Sequence, residues 1–177
     1  MARLPQFDDM PDGLLRILRR RVPAKWIDHN GHMNVAAYLA AFDAGICRFC
    51  NGYGIGPLQK PVSGRTIYVG EAHLVYRREI QRDAAIEIGL QLLGLTDRRL
   101  RVFLSMYETG EAQPAAYNEQ LAVCVDTSTH RPAPWPEAAA ARLEALRLHH
   151  ASLPMPRHAG RGIQSPEAVA KPVPAAQ

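Results

Sequence analysis

Apolar residues recur at Val35, Tyr38, Leu39, Phe42, Ile46, Phe49 and Cys50, the spacing of one α-helix. The faces between them carry Ala36, Ala37, Ala40, Ala41, Ala44 and Gly45, and only Asp43 and Arg48 are charged there, so the pattern predicts a helix buried nearly all round. Asn34 suits its N-cap, and Gly52, Gly54, Gly56 and Pro57 end it. The small side chains on its flanks let a sheet approach closely.

Beyond the glycines the period changes to that of strands. Thr66 to Arg78 is rich in β-formers with both faces apolar, which predicts a central strand. Ile86, Ile88, Leu90 and Leu92 alternate with Glu87, Gly89 and Gln91, and Leu100, Val102, Leu104 and Met106 alternate with Arg101, Phe103, Ser105 and Tyr107. Tyr117 to Val125 gives a further long strand. Short polar turns join these runs, so they should pair antiparallel. Upstream, Leu14 to Ile27 alternates loosely and is interrupted by Pro23, the mark of an edge or bent strand. Pro136 opens a short helix with an apolar stripe of Ala139, Leu143 and Leu146 up to about His149. One helix followed by four long strands is α+β order, predicting a curved antiparallel sheet wrapped around one long buried helix, plus a short C-terminal helix. The organisation expected is an irregular lead-in over 1–13, one domain over 14–150, and a Pro-, Ala- and Gly-rich extension over 151–177 that is loosely attached from Ser165.

Composition narrows the function classes. No run approaches a membrane span, and the start MARLPQFDD has no apolar stretch of a secretory signal, which reads as a cytoplasmic protein. Three cysteines do not suggest a disulfide framework, and the Cys47/Cys50 pair falls late in the helical pattern, where buried small hydrophobes are the better reading. No spaced Cys/His pattern points to a metal, and no cofactor motif is present. Of 21 basic residues only Lys25, Lys60 and Lys171 are lysine. Arginine forks suit phosphate, so a polyanionic ligand fits this composition. Nucleic acid does not, because the longest basic run, Arg19–Arg20–Arg21, has no interleaved aromatics.

The chemistry concentrates in DHNGHMN, Asp28 to Asn34, directly ahead of the buried helix. A helix N-terminus presents unpaired N–H groups and partial positive charge, able to hold a carbonyl and stabilise the oxyanion formed on attack. Asp28 beside it can activate water or attack directly, and Asn30 or His32 can donate to that carboxylate or to a substrate. Asn34 reads equally as N-cap and as substrate contact. Tyr38, Phe42 and Phe49 read as core, with Tyr38 the one also considered for substrate contact. The competing reading is that Asp28 and Asn30 are turn formers only.

The segment W-I-D-H-N-G-H-M-N-V-A-A-Y-L, Trp26 to Leu39, resembles the signature of hot-dog thioesterases, among them the 4-hydroxybenzoyl-CoA thioesterase group and the plant acyl-carrier-protein thioesterases. That resemblance implies an acyl-CoA thioesterase with Asp28 as its catalytic carboxylate. The plant enzymes carry an Asp-x-Asn-x-His array, which falls on Asp28, Asn30 and His32, and a glutamate about forty residues on, for which Glu71 is the matching candidate. A closer resemblance, Val22 to about Ile163, is to the betainyl-CoA thioesterase branch linked to carnitine breakdown. It is carried by Y-V-G-E-A-H-L-V-Y, L-L-G-L-T-D-R-R-L, N-E-Q-L-A-V-C-V-D and P-M-P-R-H-A-G-R-G-I in order. Where that branch shows histidines, this chain has Arg101 to Leu104 and Cys124.

By strand alternation Glu71 and His73 share a face with Ile67, Val69 and Val75, so they line a wet cleft or pair with something. Arg77, Arg78, Arg98, Arg99 and Arg101 sit at strand ends and turns, the candidates for CoA phosphates by charge. A betaine-type acyl group would want an aromatic cage, with Trp26, Tyr68 and Tyr76 as candidate members. A non-catalytic acyl-CoA binder and an enoyl-CoA hydratase of the same fold are the rival functions. Hot-dog proteins resemble one another in pairing, so a homodimer or a dimer of dimers is expected.

Overall fold

The alternating segments assemble into a six-stranded, wholly antiparallel sheet in the computed structural model, which describes residues 6–163. In chain order the elements are β1 (Asp8–Asp9), β2 (Leu15–Arg21), helix α1 (Val35–Tyr53), the one-turn helix α2 (Lys60–Ser63), β3 (Arg65–Tyr76), β4 (Ala85–Leu95), β5 (Arg99–Glu108), β6 (Ala116–Asp126) and α3 (Glu137–His150). The strands lie side by side as β1-β2-β4-β5-β6-β3. The expected architecture is present, with one long helix on the inner face of the sheet and a shorter one after it. The lead-in is less irregular than its sequence implies, since Asp8 and Asp9 pair with Arg16 and Leu15.

Helix and sheet meet through the small residues that the pattern singled out. A Cβ on Gly45 would lie 2.9 Å from Ile17 Cδ1, so glycine lets α1 approach β2 without displacing that side chain. Around it Phe42, Phe49, Ile17, Ile88, Leu90, Leu104 and Met106 are fully buried. Burial pushes the Cys47 and Cys50 thiols up, which fits packing rather than redox duty.

Two expectations about burial need correction. The strand β3 is not central. It pairs with β6 along its length and stands at the open edge of the sheet, with Tyr68, Val69 and Tyr76 about half exposed. Nor is α1 buried all round, because Val35 and Leu39 are 62% and 42% exposed beside exposed Ala36, Ala40 and Asp43. The apolar surplus on both elements therefore faces outward in the single chain.

The described part of the C-terminal extension, 151–163, is not loose. It crosses the outer face of the sheet, where Gln91 Nε2 donates to the Pro154 carbonyl at 3.2 Å, the His158 ring lies 4.9 Å from that of Tyr117, and Gly160 N donates to Glu119 Oε2 at 2.6 Å. The stretch expected to be loosely attached, from Ser165, lies outside the described residues.

At the end of α3, buried His150 accepts a hydrogen bond on Nδ1 from Leu92 N at 3.0 Å, where β4 bulges. Desolvation, with the nearby His149 charge second, pushes its pKa down to about 4. The unfolded chain, with histidine near its ordinary value of about 6.5, then binds the extra proton between those limits. Stability should be full above about pH 6.5 and should fall as pH drops towards 4, by at most about 3 kcal/mol. Thermal melts across that range, set against His150→Gln, should show the slope shrinking in the variant. An unchanged slope would take His150 out of the acid response.

Candidate active site

The DHNGHMN segment folds as a closed loop on the way into α1. Ile27 and Met33 bridge its ends, Asp28 N donates to the His32 carbonyl, and Gly31 N donates to the Asp28 carbonyl, with Gly31 at φ 84° in the left-handed region. Asp28 Oδ1 accepts from Asn30 N at 2.8 Å, which fixes the carboxylate, half-buried, against its own turn. The loop is anchored by Met33 N to the Ile80 carbonyl and by Asn34 N to the Trp26 carbonyl.

Asn34 is the N-cap of α1, its Oδ1 accepting from Ala36 N at 2.8 Å and its carbonyl from Ala37 N. That engages its side-chain oxygen in the helix rather than with a ligand. Val35 N–H is the first amide of the helix and has no acceptor among the described residues. Asp28 and this amide are seven residues apart in the chain, so one short loop carries both a carboxylate and an open helix N–H.

His32 is held by its neighbours. Its Nδ1 lies 3.4 Å from the Met33 carbonyl and its Nε2 3.5 Å from Glu79 Oε1. The carboxylate that meets His32 is therefore Glu79, just past β3, and sequence reasoning missed it because it lies in the polar turn Arg77–Gln81, far along the chain. Tyr38 is buried, donates to the Arg78 carbonyl at 3.2 Å and meets the Tyr76 ring edge-on at 5.2 Å, so it packs the helix start rather than facing a ligand. Burial pushes its hydroxyl pKa up. Asn30 is exposed and enters the turn by its backbone amide.

Glu71 and His73 are elsewhere. A bulge between Val69 and Glu71 shifts the register, so Ile67 and Val69 oppose Cys124 and Ala122 while Glu71, His73 and Val75 oppose Leu121, Glu119 and Tyr117. The two ionisable side chains therefore do not share a face with Ile67 and Val69. They stand on the outer face, across the sheet from α1, and line a cavity of about 520 Å³ with Arg101, Glu119 and the strap residues Gly160 and Arg161.

Among the arginines, Arg98 pairs with Asp97 in the turn and Arg78 with Glu108, Arg101 is engaged by Glu119, and Arg99 is exposed. Arg77 lines a second cavity, about 280 Å³, with His73, Val75, His158 and Arg161. Burial and then the charges of Arg161, Arg77 and Arg157 hold the His158 pKa down, so this cavity is basic. Tyr76, next to Arg77 in the chain but on the inner face, donates to the Val35 carbonyl at 3.3 Å, so the strand end that carries Arg77 also contacts the helix start. Among the described residues no group of three or more His, Cys, Asp or Glu is arranged to hold a metal ion, and no helix is long and apolar enough to cross a membrane.

With this geometry, similarity to known proteins is specific. The model of the thioesterase-like superfamily matches residues 22–143. A betainyl-CoA thioesterase of Pseudomonas aeruginosa is 33% identical over 142 residues, covering 80% of this chain and 89% of that protein. An L-carnitine dehydrogenase/betainyl-CoA thioesterase of a Rhizobium species is 31% identical over 92% of this chain, which spans only 32% of that longer protein. A Staphylococcus aureus protein solved in complex with CoA shares the fold at TM-score 0.80 and 22% identity, covering 86% of this chain and 97% of that one. A candidate thioesterase of Pseudomonas putida matches at TM-score 0.76 and 28% identity over 89% and 99%. The chain belongs to the thioesterase-like superfamily, a hot-dog enzyme of the thioester-hydrolase class.

Proposed function

We propose that this enzyme hydrolyses a small or medium acyl-CoA at the start of α1, giving free acid and CoA. The observation that carries the reading is the fixed Asp28 carboxylate on the loop that delivers the open Val35 amide. Asp28 Oδ1 holds the Asn30 amide, leaving Oδ2 to take a proton from water or to attack the thioester carbon itself. The Val35 N–H receives the carbonyl oxygen as it gains charge. The C–S bond then breaks, and the departing thiolate takes a proton to become free CoA; on the direct-attack route water then hydrolyses the acyl–Asp28 anhydride, releasing the acid and restoring the carboxylate. His32, oriented by Glu79, positions water or substrate beside the loop. No cofactor is required for these steps.

The basic cavity lined by Arg77, His158 and Arg161, with the Arg157 charge acting on His158, supports binding of the CoA phosphates. It replaces Arg98 and Arg99 as our choice, because Arg98 is already paired and the two stand in the β4–β5 turn and at the start of β5, away from this end of β3. For Glu71 and His73, the outer-face position supports a role at this CoA side rather than at Asp28. A betaine-recognising cage of Trp26, Tyr68 and Tyr76 has no support within one chain. Arg20 stacks on Trp26 at 4.3 Å, Tyr68 points outward beside His130, and Tyr76 points inward at Val35.

The reading is tested by incubating the full chain with short- to medium-chain acyl-CoA esters and betainyl-CoA in the presence of a thiol-trapping reagent. Thiol should appear in step with free acid for at least one ester. Tight binding without thiol release would make this a binding protein, and loss of enoyl absorbance without thiol would make it a hydratase.

A further inference from the structure

The inner face of β6 carries a feature that the reaction above does not use. The side chains of Ala116, Asn118, Gln120, Ala122 and Cys124 point towards α1, in register with Tyr76, Leu74, Ala72, Val69 and Ile67 of β3. Asn118 is completely buried and Gln120 is 3% exposed. Neither amide oxygen of these two residues, nor Asn118 Nδ2, has a hydrogen-bond partner in the chain. A buried amide without partners costs about 1–3 kcal/mol per group relative to one left in water. Two in succession on one face, in a core otherwise made of Leu104, Val102, Phe42 and Met106, call for a polar occupant.

Their position says what the occupant is. Asn118 lies opposite Leu74, and one step along the same face Ala116 lies opposite Tyr76. The hydroxyl of Tyr76 bonds the Val35 carbonyl, and its ring packs on Tyr38. The amides therefore line the inner wall leading away from the helix start, one strand in from the open edge. At that edge the residue facing Gln120 is Ala72, which is exposed and small. On the proposed reaction, an acyl chain held by its carbonyl at Val35 would have this wall as the surface it enters against.

We infer that Asn118 and Gln120 are the specificity-determining residues of the acyl site, and that they select an acyl group bearing a hydrogen-bonding substituent, such as a hydroxyl, over a plain alkyl chain. An amide offers both donor and acceptor, so a hydroxyl satisfies either part, while an alkyl chain leaves both unsatisfied. This rests on the thioesterase reading and deepens it. The distinction from a packing role is physical, because exchanging an unpartnered buried amide for an apolar side chain of similar volume relieves a cost and should not destabilise the fold.

The experiment compares butyryl-CoA with 3-hydroxybutyryl-CoA and 4-hydroxybutyryl-CoA, using wild type, Asn118→Leu and Gln120→Met, each with a thermal melt. Wild type should favour a hydroxyacyl ester in kcat/KM. Each variant should lower kcat/KM for that ester by about 10- to 100-fold, leave butyryl-CoA equal or improved, and melt no lower than wild type. Wild-type turnover with no preference for either hydroxyacyl ester overturns the inference while leaving the thioesterase reading intact, and needs no variant to be seen. Equal loss on all esters together with a lowered melting temperature also overturns it, assigning the amides to structure. No thiol release from any ester, these or those of the wider panel, removes both.

Discussion

Asp28→Asn should lower kcat for thiol release by about 10²- to 10⁴-fold, the range lost when a positioned general base is removed, with the melting temperature shifted by no more than about 2 °C. Asparagine retains an oxygen at the position that accepts from Asn30 N, so the loop and its Ile27–Met33 bridge should persist. What disappears is the negative charge and the capacity to hold a proton or form an acyl bond. Asp28→Ala should lose the turn as well and melt lower, separating the carboxylate's chemical part from its local structural one. Rates measured at saturating ester distinguish a lost base from weakened binding, since a pure binding defect would raise KM and spare kcat. Undiminished turnover in Asp28→Asn would remove this residue from the reaction and leave the loop as a turn.

The sequence made α1, its cap and its loop legible because each is a local matter. The apolar period from Val35 to Cys50, the asparagine ahead of it and the glycine in DHNGHMN all act within a few residues, and the observed cap bond from Asn34 to Ala36 N is the bond that chemistry calls for. What failed depended on relations across the sheet. The alternation from Ile67 to Val75 reads as one continuous face, but the extra residue at Gly70 turns the strand over, and Glu71 and His73 emerge on the side away from α1. Glu79 gave no local signal at all, since it meets His32 only through the return of the chain after β3.

The strand β6 is found where its sequence puts it, but its orientation is harder to read. Its two faces are Tyr117, Glu119, Leu121 and Val123 on one side and Ala116, Asn118, Gln120 and Ala122 on the other, and hydrophobicity alone would bury the first. The structure buries the second beneath α1. The first is half-covered instead by the strap, with His158 over Tyr117 and Gly160 bound to Glu119. The Pro-, Ala- and Gly-rich stretch after α3 thus covers a strand face that its composition alone does not assign to it.

The same reasoning, applied to the exposed apolar surface, gives the second large expected effect. A strand of 12 residues with one side unpaired is a template for another strand, and here Val69 and Tyr76 of that strand are exposed, as are Val35 and Leu39 of α1, with Tyr76 bonded to the Val35 carbonyl. A second copy related by a two-fold axis would cover edge and helix stripe together, burying on the order of 800 Å² per chain if it is an ordinary interface. We expect wild type to elute at twice the chain mass by size exclusion with light scattering, and Val69→Glu combined with Leu39→Glu to shift it to the monomer. Because the partner would close the inner wall at Ala72 and Tyr76 and keep bulk water from the helix start, kcat/KM should fall by about 10²-fold in the same variant. Neither substitution touches Asp28 or its loop, and neither side chain is in the buried core, so far-ultraviolet circular dichroism should be unchanged. A wild type that is monomeric and fully active at assay concentration would show that each chain holds a complete site, leaving the apolar edge without a partner copy.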